Sequence, residues 1–320
     1  MEDGATVMNA VIPDRVRGER LDKVLASVFP PYSRSQLQLW IRQGRITING
    51  RIPHGRDQVS GGEAVRLEVP QAEPVAWQPQ NLPVELVYEE SDILVIDKPA
   101  GVVGHPGAGN TDGTLANAIL YHFPELAALP RAGLVHRIDK GTTGLLVVAR
   151  NEYARNKLIR ALECHAVSRR YLAVVDGVPI SGGTMDQPIG RHSHNRLRMA
   201  VNPNGKRAVT HYRVEEKFRA HALVSVELET GRTHQIRVHL AKAGYPLVGD
   251  ALYGGRLRIP AGASGQFADT LRGFKRQALH ARSLALTHPR TGESLNWKSP
   301  VPPDFAQLLS TLRSERGSDP

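Results

Sequence analysis

A proline-spaced stretch from Gln71 to Pro83, carrying Pro74, Pro79 and Pro83 and little apolar periodicity, cuts the 320-residue chain in two. Proline fixes φ and removes a backbone donor, so this stretch reads as a semi-stiff linker over residues 71–83. It predicts a compact small unit over residues 14–70 and a larger one over residues 84–312, in keeping with a length that suggests two domains. Residues 1–13 are expected to be a disordered tail, and the polar residues 313–320 a frayed one.

In the small unit, Leu21, Val24, Leu25 and Val28 recur at helical spacing, and Pro30-Pro31 ends that helix. Ser33 is suited to cap a second helix carrying Leu37, Leu39, Trp40 and Ile41, with Gly44 at its C-terminal end. Arg45 to Ile48 alternates like a strand, Asn49-Gly50 is a turn signal, and Val65 to Val69 reads as another strand. The unit carries ten basic and six acidic residues. The segment Ser33-Arg34-Ser35, with Ile41 through Gly50, resembles the helix-helix-strand-turn pattern of the S4 RNA-binding domain. That resemblance makes Arg34, Ser35, Arg42, Arg45 and Arg51 the candidate RNA contacts.

In the larger unit, Val87 to Asp97 is strand-like, Thr114 to Phe123 helical, Gly144 to Ala149 a buried strand and Glu152 to Ala166 helical. Arg170–Asp176, Thr210–Phe218 and Ala222–Glu229 read as strands, and Thr233–Ala243 as a helix closed by Gly244. Strands do not alternate regularly with helices. The expected class is therefore α+β, a mixed or antiparallel sheet, with a small α/β domain in front.

Lys and Arg exceed Asp and Glu by 41 to 31, a formal charge of +10, which favours polyanionic partners without naming one. With Cys164 alone, the chain has no intramolecular disulfide and no cysteine pair for zinc, which suits a reducing compartment such as the cytoplasm. The first residues lack the apolar core of a signal peptide, and no apolar run approaches the roughly 18 residues of a membrane span. Neither secretion nor a membrane partner is expected.

The chemistry concentrates in His136-Arg137-Ile138-Asp139-Lys140, a polar loop directly before the buried run Gly144–Ala149. Catalytic groups gather in loops held at the edge of a rigid sheet. The flanking cations favour an ionised Asp139, able to act as nucleophile or base. From spacing alone, a structural ion pair with a neighbouring arginine is the commoner explanation. A kinase loop has Asp directly after Arg, whereas Ile138 intervenes here, and no glycine-rich nucleotide loop accompanies it. Gly107, Gly109 and Gly113 miss the dinucleotide-binding spacing. His234 and His239 are five apart and share a helix face poorly, and His192 with His194 lies in a basic loop suited to phosphate, so no metal site is expected.

Around this loop stand Asp92 through Gly101 with His105-Pro106, then His136 through Gly144, Arg170-Tyr171, Thr230 through Leu240, Pro246 through Asp250 with Tyr253-Gly254, and Gln277 through Ala281. In this order they resemble the RluA family of pseudouridine synthases, nearest its RluD type, which acts on large-subunit (23S) ribosomal RNA. Ile138 stands where leucine is usual in that family, and Gly141 where an acidic residue is common. The resemblance implies that Asp139 is the catalytic carboxylate that initiates cleavage of the glycosidic bond, and that Tyr171 holds the target base. It implies that Arg237 pairs with Asp139, that Arg137 enters the RNA stack, and that Ile236 packs on the flipped base, with His136, His234 and Arg232 as further substrate contacts. The implied reaction is a redox-neutral isomerisation of uridine after base flipping, with no cofactor, by a monomer whose partner is structured RNA. Two alternatives stand beside it: the same chemistry on transfer RNA, and a non-catalytic RNA-binding factor in ribosome assembly.

Overall fold

The computed structural model describes residues 6–69 except 33, and 77–316 except 108 and 196. It divides into two units, Met1–Ala76 and Trp77–Pro320.

The first unit holds β1 (Thr6–Val11), α1 (Leu21–Val28), α2 (Arg34–Arg42), β2 (Ile46–Ile48) and β3 (Ala64–Val69), with an antiparallel sheet in the order β1-β3-β2. Leu21, Val24 and Leu25 of α1 and Leu37, Trp40 and Ile41 of α2 are buried in one core. Leu39, expected on the same stripe, is 44% exposed because it falls between the two turns that face inward. Gly44 N–H donates to Ile41 C=O and Arg45 N–H to Trp40 C=O, the paired bonds of a Schellman end that needs the positive φ of 72° at Gly44. Asn49 and Gly50 both have positive φ, and Ile48 and Arg51 exchange backbone hydrogen bonds across them. Ser33, the expected cap of α2, lies outside the described residues.

The tail expected over residues 1–13 is corrected from residue 6 on, residues 1–5 lying outside the described ones: β1 pairs along the whole of β3, from Thr6 opposite Val69 to Val11 opposite Ala64. Met8 and Ala10 pack on the core while Val7 and Val11 face out. Apolar residues on both faces conceal the two-residue alternation that would have marked a strand.

The second unit is built on a nine-stranded mixed sheet. Its strands are β4 (Glu85–Glu89), β5 (Ile93–Lys98), β6 (Thr143–Ala149), β7 (Ser168–Asp176), β8 (Gly183–Asp186), β11 (Val209–Lys217), β12 (His221–Leu228), β13 (Leu279–Thr287) and β14 (Ser294–Lys298). They run in the order β4-β5-β6-β13-β7-β12-β11-β8, with β14 also on β13. β9 (Ile189–Arg191) and β10 (Met199–Val201) form a separate two-stranded ribbon. The helices are α3 (Leu115–His122), α4 (Glu152–Glu163), α5 (Gln235–Lys242), α6 (Gly265–Gly273) and α7 (Pro303–Arg316). The fold is α+β.

The single strand-like run over Val87–Asp97 resolves into a hairpin, β4 and β5, because Glu90 accepts the N–H groups of Asp92 and Ile93 and turns the chain. β5 and β6 are buried along their length and pair antiparallel from Ile93–Ala149 to Lys98–Gly144. Ile93, Val95, Leu145 and Val147 pack on Ala154 and Leu158 of α4. A fully buried side chain of this kind stabilises by about 1.5–3 kcal/mol. Phe267 and Leu271 of α6 and Phe305, Leu308 and Leu312 of α7 form a second core with Val174 and Leu223. The frayed tail expected over residues 313–320 is corrected up to residue 316, the rest lying outside the described residues, since α7 continues to Arg316 and Arg313 bonds Glu216 at 2.9 Å.

One junction positions the chemistry. β13 pairs with β7 along one edge, while β6 and β14 share the other, and β6 meets β13 in parallel at His280–Thr143 and Ala281–Gly144. A Cβ at Gly144 would stand 2.3 Å from Ala281 O, and φ there is +110°, so only glycine lets the strands approach this closely. The loop that ends at Thr143 is thereby delivered to the middle of the sheet.

Candidate active site

Asp139 sits in the loop entering β6, braced from three directions. Thr142 N–H closes a turn on Asp139 C=O at 2.9 Å, and Gly101 N–H donates to Lys140 C=O at 2.8 Å. Arg276 donates to Gly141 C=O at 3.1 Å, and Gln277 to Thr142 Oγ1 at 3.0 Å. Lys98, fully buried at the end of β5, points its ammonium at the carbonyls of Pro99, Val102 and Lys140. Burial pushes its pKa down to about 7, against the opposing pull of the Asp139 charge. A Cβ at Gly141 would meet Gln277 Oε1 at 2.5 Å, so Gln277 occupies the space that a side chain at this position would take.

The carboxylate meets Arg237, whose Nη1 donates to Asp139 Oδ2 at 3.1 Å. Arg237 and His239, two positions apart in α5, are both buried. Arg237 uses Nε and Nη2 in a two-pronged pair with Asp250, at 2.7 and 2.9 Å, and Asp250 also accepts the N–H groups of Leu252 and Tyr253. Burial alone would disfavour the guanidinium charge. Asp250 and Asp139 outweigh it and hold the Arg237 pKa above its ordinary value. His239 is held by Thr210 and Gln187, which accounts for both ring nitrogens without a metal.

Tyr171 enters from β7 opposite Val226 of β12 and is 6% exposed. Burial raises its phenol pKa, the Arg169 charge works the other way, and Asp139 adds to the rise. Asp139, Tyr171 and Arg237 line one cleft together with Arg137, Arg232, His234 and Ile236. His234 adopts φ +57° at the start of α5. Its Nδ1 lies 2.8 Å from Tyr253 Oη and its Nε2 4.0 Å from Asp139 Oδ1. Burial lowers its pKa, with the Asp139 charge working the other way. Tyr253 Oη also accepts Met199 N–H at 2.8 Å, which ties the His234 ring to the β10 ribbon.

His136 stands apart from this cleft. It faces the adjoining cavity, and its Nε2 accepts Val147 N–H at 3.0 Å. In the first unit, Arg42 and Arg51 are exposed and Arg45 is half-buried. Arg34 instead donates to both oxygens of buried Asp22 at 2.9 Å. The side chain of Ser35 lies outside the described residues.

Sequence reasoning gave no role to Asp250, Lys98, Gln277 or Arg169. The available signal was charge balance: a buried arginine needs a carboxylate, and Asp250 lay within a motif already quoted. Among the described residues, Glu90, Asp92 and His288 come within 4.8 Å of one another, as metal ligands would. Arg290 bonds both oxygens of Asp92, and His288 bonds Glu90, so that cluster is already paired.

Residues 92–242 match the family described as RNA pseudouridylate synthase, and residues 19–64 match the S4 domain. The protein named ribosomal large subunit pseudouridine synthase D from Pseudomonas aeruginosa is 55% identical over 307 residues, covering 96% of each chain. Its namesake from Xanthomonas campestris is 51% identical, over 97% of this chain and 94% of the relative. Human RNA Pseudouridylate Synthase Domain Containing 4 shares 27% identity at a TM-score of 0.56, covering 72% of this chain and 93% of that one. A brace that fixes one carboxylate beside a buried arginine and tyrosine thus occurs in a chain with near full-length relatives, and the chain belongs to the RNA pseudouridylate synthase family, with an S4 domain ahead of the catalytic unit.

Proposed function

We propose that this chain converts specific uridines of large-subunit (23S) ribosomal RNA to pseudouridine, acting as a monomer in the cytoplasm with Asp139 as its catalytic carboxylate. The observation that carries the reading is the 3.1 Å bond from Arg237 to Asp139, which joins residues 98 apart in the chain in a cleft also lined by Tyr171. The relatives named for the ribosomal large subunit support the choice of substrate. All three residues come from one chain, so one copy suffices.

The reaction breaks the N1–C1′ bond and forms C5–C1′, and the C5 proton is replaced by one on N1. A uracil within folded RNA must first leave its stack, at a cost of a few kcal/mol. Arg137, exposed at the mouth, fills the vacated space with a planar cation that stacks on the neighbouring bases. Tyr171 supports the flipped base on its ring, a contact worth about 1–3 kcal/mol. Ile236 packs beside it, and His234 and Arg232 contact the nucleotide. Arg237 aims Asp139, and Asp139 initiates cleavage of the glycosidic bond. In the S4 domain, exposed Arg42 and Arg51 together with Arg45 meet RNA phosphates. Arg34 serves there mainly by ordering Asp22, and Ser35 stays a candidate contact from sequence.

Asp139→Asn is expected to form no pseudouridine on transcribed large-subunit ribosomal RNA while still binding it; turnover at the normal rate overturns the assignment. Mapping pseudouridine in cells with and without the gene tests the substrate. Unchanged ribosomal RNA with transfer-RNA sites missing would move the activity to transfer RNA.

A further inference from the structure

Beside the catalytic cleft lies a second cavity of about 420 Å³, and the two share Arg137, Arg169, Gly231 and Arg232 as walls. Two buried donors in its walls have no partner. Arg169 is 6% exposed, and its Nη2 donates to Glu229 C=O at 3.1 Å while its Nε bonds nothing. No carboxylate pairs with this guanidinium among the described residues. His136 Nε2 accepts the N–H of Val147, so the ring proton of the neutral imidazole is on Nδ1, and Nδ1 is buried without a partner. Burial lowers the pKa of both groups, and the Arg169 charge lowers that of His136 further, which places the two side chains in each other's field.

A buried cation without a counter-charge and a buried N–H without an acceptor are each costly, and native proteins keep few of them. One anion with several acceptor oxygens would satisfy both. The rest of the wall agrees, since Arg131 and His165 add basic groups and Glu163 is the acid that faces them. Gly231 matches this use: a Cβ there would lie 2.8 Å from Arg169 Nη1, so glycine leaves the guanidinium its place.

We infer that this cavity is a phosphate subsite, in which Arg169 and His136 Nδ1–H bind one backbone phosphate of the RNA next to the flipped uridine. The inference rests on the reading of the chain as a synthase acting on ribosomal RNA. It adds a second point of attachment, so that the nucleotide is held at its base by the Tyr171 cleft and at a neighbouring phosphate by the adjoining cavity. Arg169 here positions substrate and takes no part in the bond exchange.

The test uses the full chain and transcribed large-subunit ribosomal RNA. Wild type and Arg169→Gln are compared for RNA affinity across a salt series and for kcat and KM. Loss of one phosphate contact is expected to flatten the plot of log affinity against log salt by about 0.7–0.9. KM should rise several-fold with kcat little changed. An unchanged slope overturns the subsite. A fall in kcat with an unchanged slope also overturns it and assigns Arg169 to the base. Should Arg169→Gln fail to fold, the wild-type chain decides by nuclear magnetic resonance of the His136 Nδ1 proton. Added inorganic phosphate should shift that resonance and chloride at matched ionic strength should not; no difference between the two overturns the proposal. Pseudouridine formation by the wild type on the same transcript is scored separately, so failure of the subsite is distinguishable from failure of the synthase reading.

Discussion

Asp22 of the S4 domain and Asp139 of the catalytic unit both lie against arginine, yet their surroundings are opposite. Asp22 has no exposed surface and accepts from Arg20, Arg34 and Gln38 at 2.5–3.3 Å. Although burial pushes its pKa up, those donors push harder and bring it to about 2. Asp139 keeps 15% of its side chain exposed, and among the described residues its carboxylate takes one hydrogen bond, from an Arg237 whose two shorter bonds go to Asp250. Its Oδ1 has His234 Nε2 at 4.0 Å, beyond hydrogen-bond reach. A carboxylate whose lone pairs are all used can only support structure. One held by a single bond, to a partner that is itself anchored elsewhere, is oriented and still free to react.

That contrast breaks first at Asp139. Asn there should slow pseudouridine formation by about 10⁴-fold or more, near 5 kcal/mol. The urea midpoint should move by the equivalent of less than about 1 kcal/mol, since an amide oxygen there can still accept from Arg237. A large loss of stability would make Asp139 a second Asp22.

Arg237→Lys comes next. A lysine cannot span Asp250 and Asp139 together, so the carboxylate loses its aim. The expected loss is about 10²-fold in kcat, near 2.7 kcal/mol, with RNA affinity retained. A defect confined to binding would detach Arg237 from the chemistry.

Asp22 should show its effect in acid. Its folded pKa lies below the unfolded value, so its contribution is complete above about pH 4 and is lost as pH falls through about 2. Between those limits the S4 domain should lose about 2 kcal/mol, and Asp22→Asn should remove that pH dependence without changing kcat. Acid unfolding curves that superimpose would sink the claim.

The smallest effect belongs to Tyr253→Phe, which leaves Met199 N–H and His234 Nδ1 without their oxygen. About 1 kcal/mol of stability is expected to go, with a modest fall in rate. A loss as large as that of Arg237→Lys would show that His234 does more than fill the flank of Asp139.

How far the sequence reached depends on whether a feature is local. The glycine at the end of α2, the Asn49-Gly50 turn and the buried runs of β5 and β6 are short-range, and their residues announce them. β1 was hidden because its apolar residues sit on both faces at a sheet edge. β13 was not read because its partners β6 and β7 lie over a hundred residues away, and β14 because it forms against β13. In the site, Asp139, Tyr171 and Arg237 were legible through the resemblance, whereas pattern alone gave Arg237 no role. Asp250, which anchors it, supplies a charge balance visible only when the helix is packed. Arg169 stood next to Arg170 with nothing in the spelling to separate the buried cation from its exposed neighbour.

The parallel meeting of β6 with β13 carries a consequence for how the molecule comes into being. Thr143 and His280 are 137 positions apart, and the braces on the Asp139 turn from Arg276 and Gln277 span a similar distance. Contacts this far apart form late, after the loop between them has closed. During synthesis, the S4 domain and the segments bearing Asp139, Tyr171 and Arg237 leave the ribosome before β13 does, since domains fold in order as the chain emerges. A chain at that stage holds the candidate reactive groups but no rigid turn to aim them, so RNA capture is expected to mature ahead of turnover.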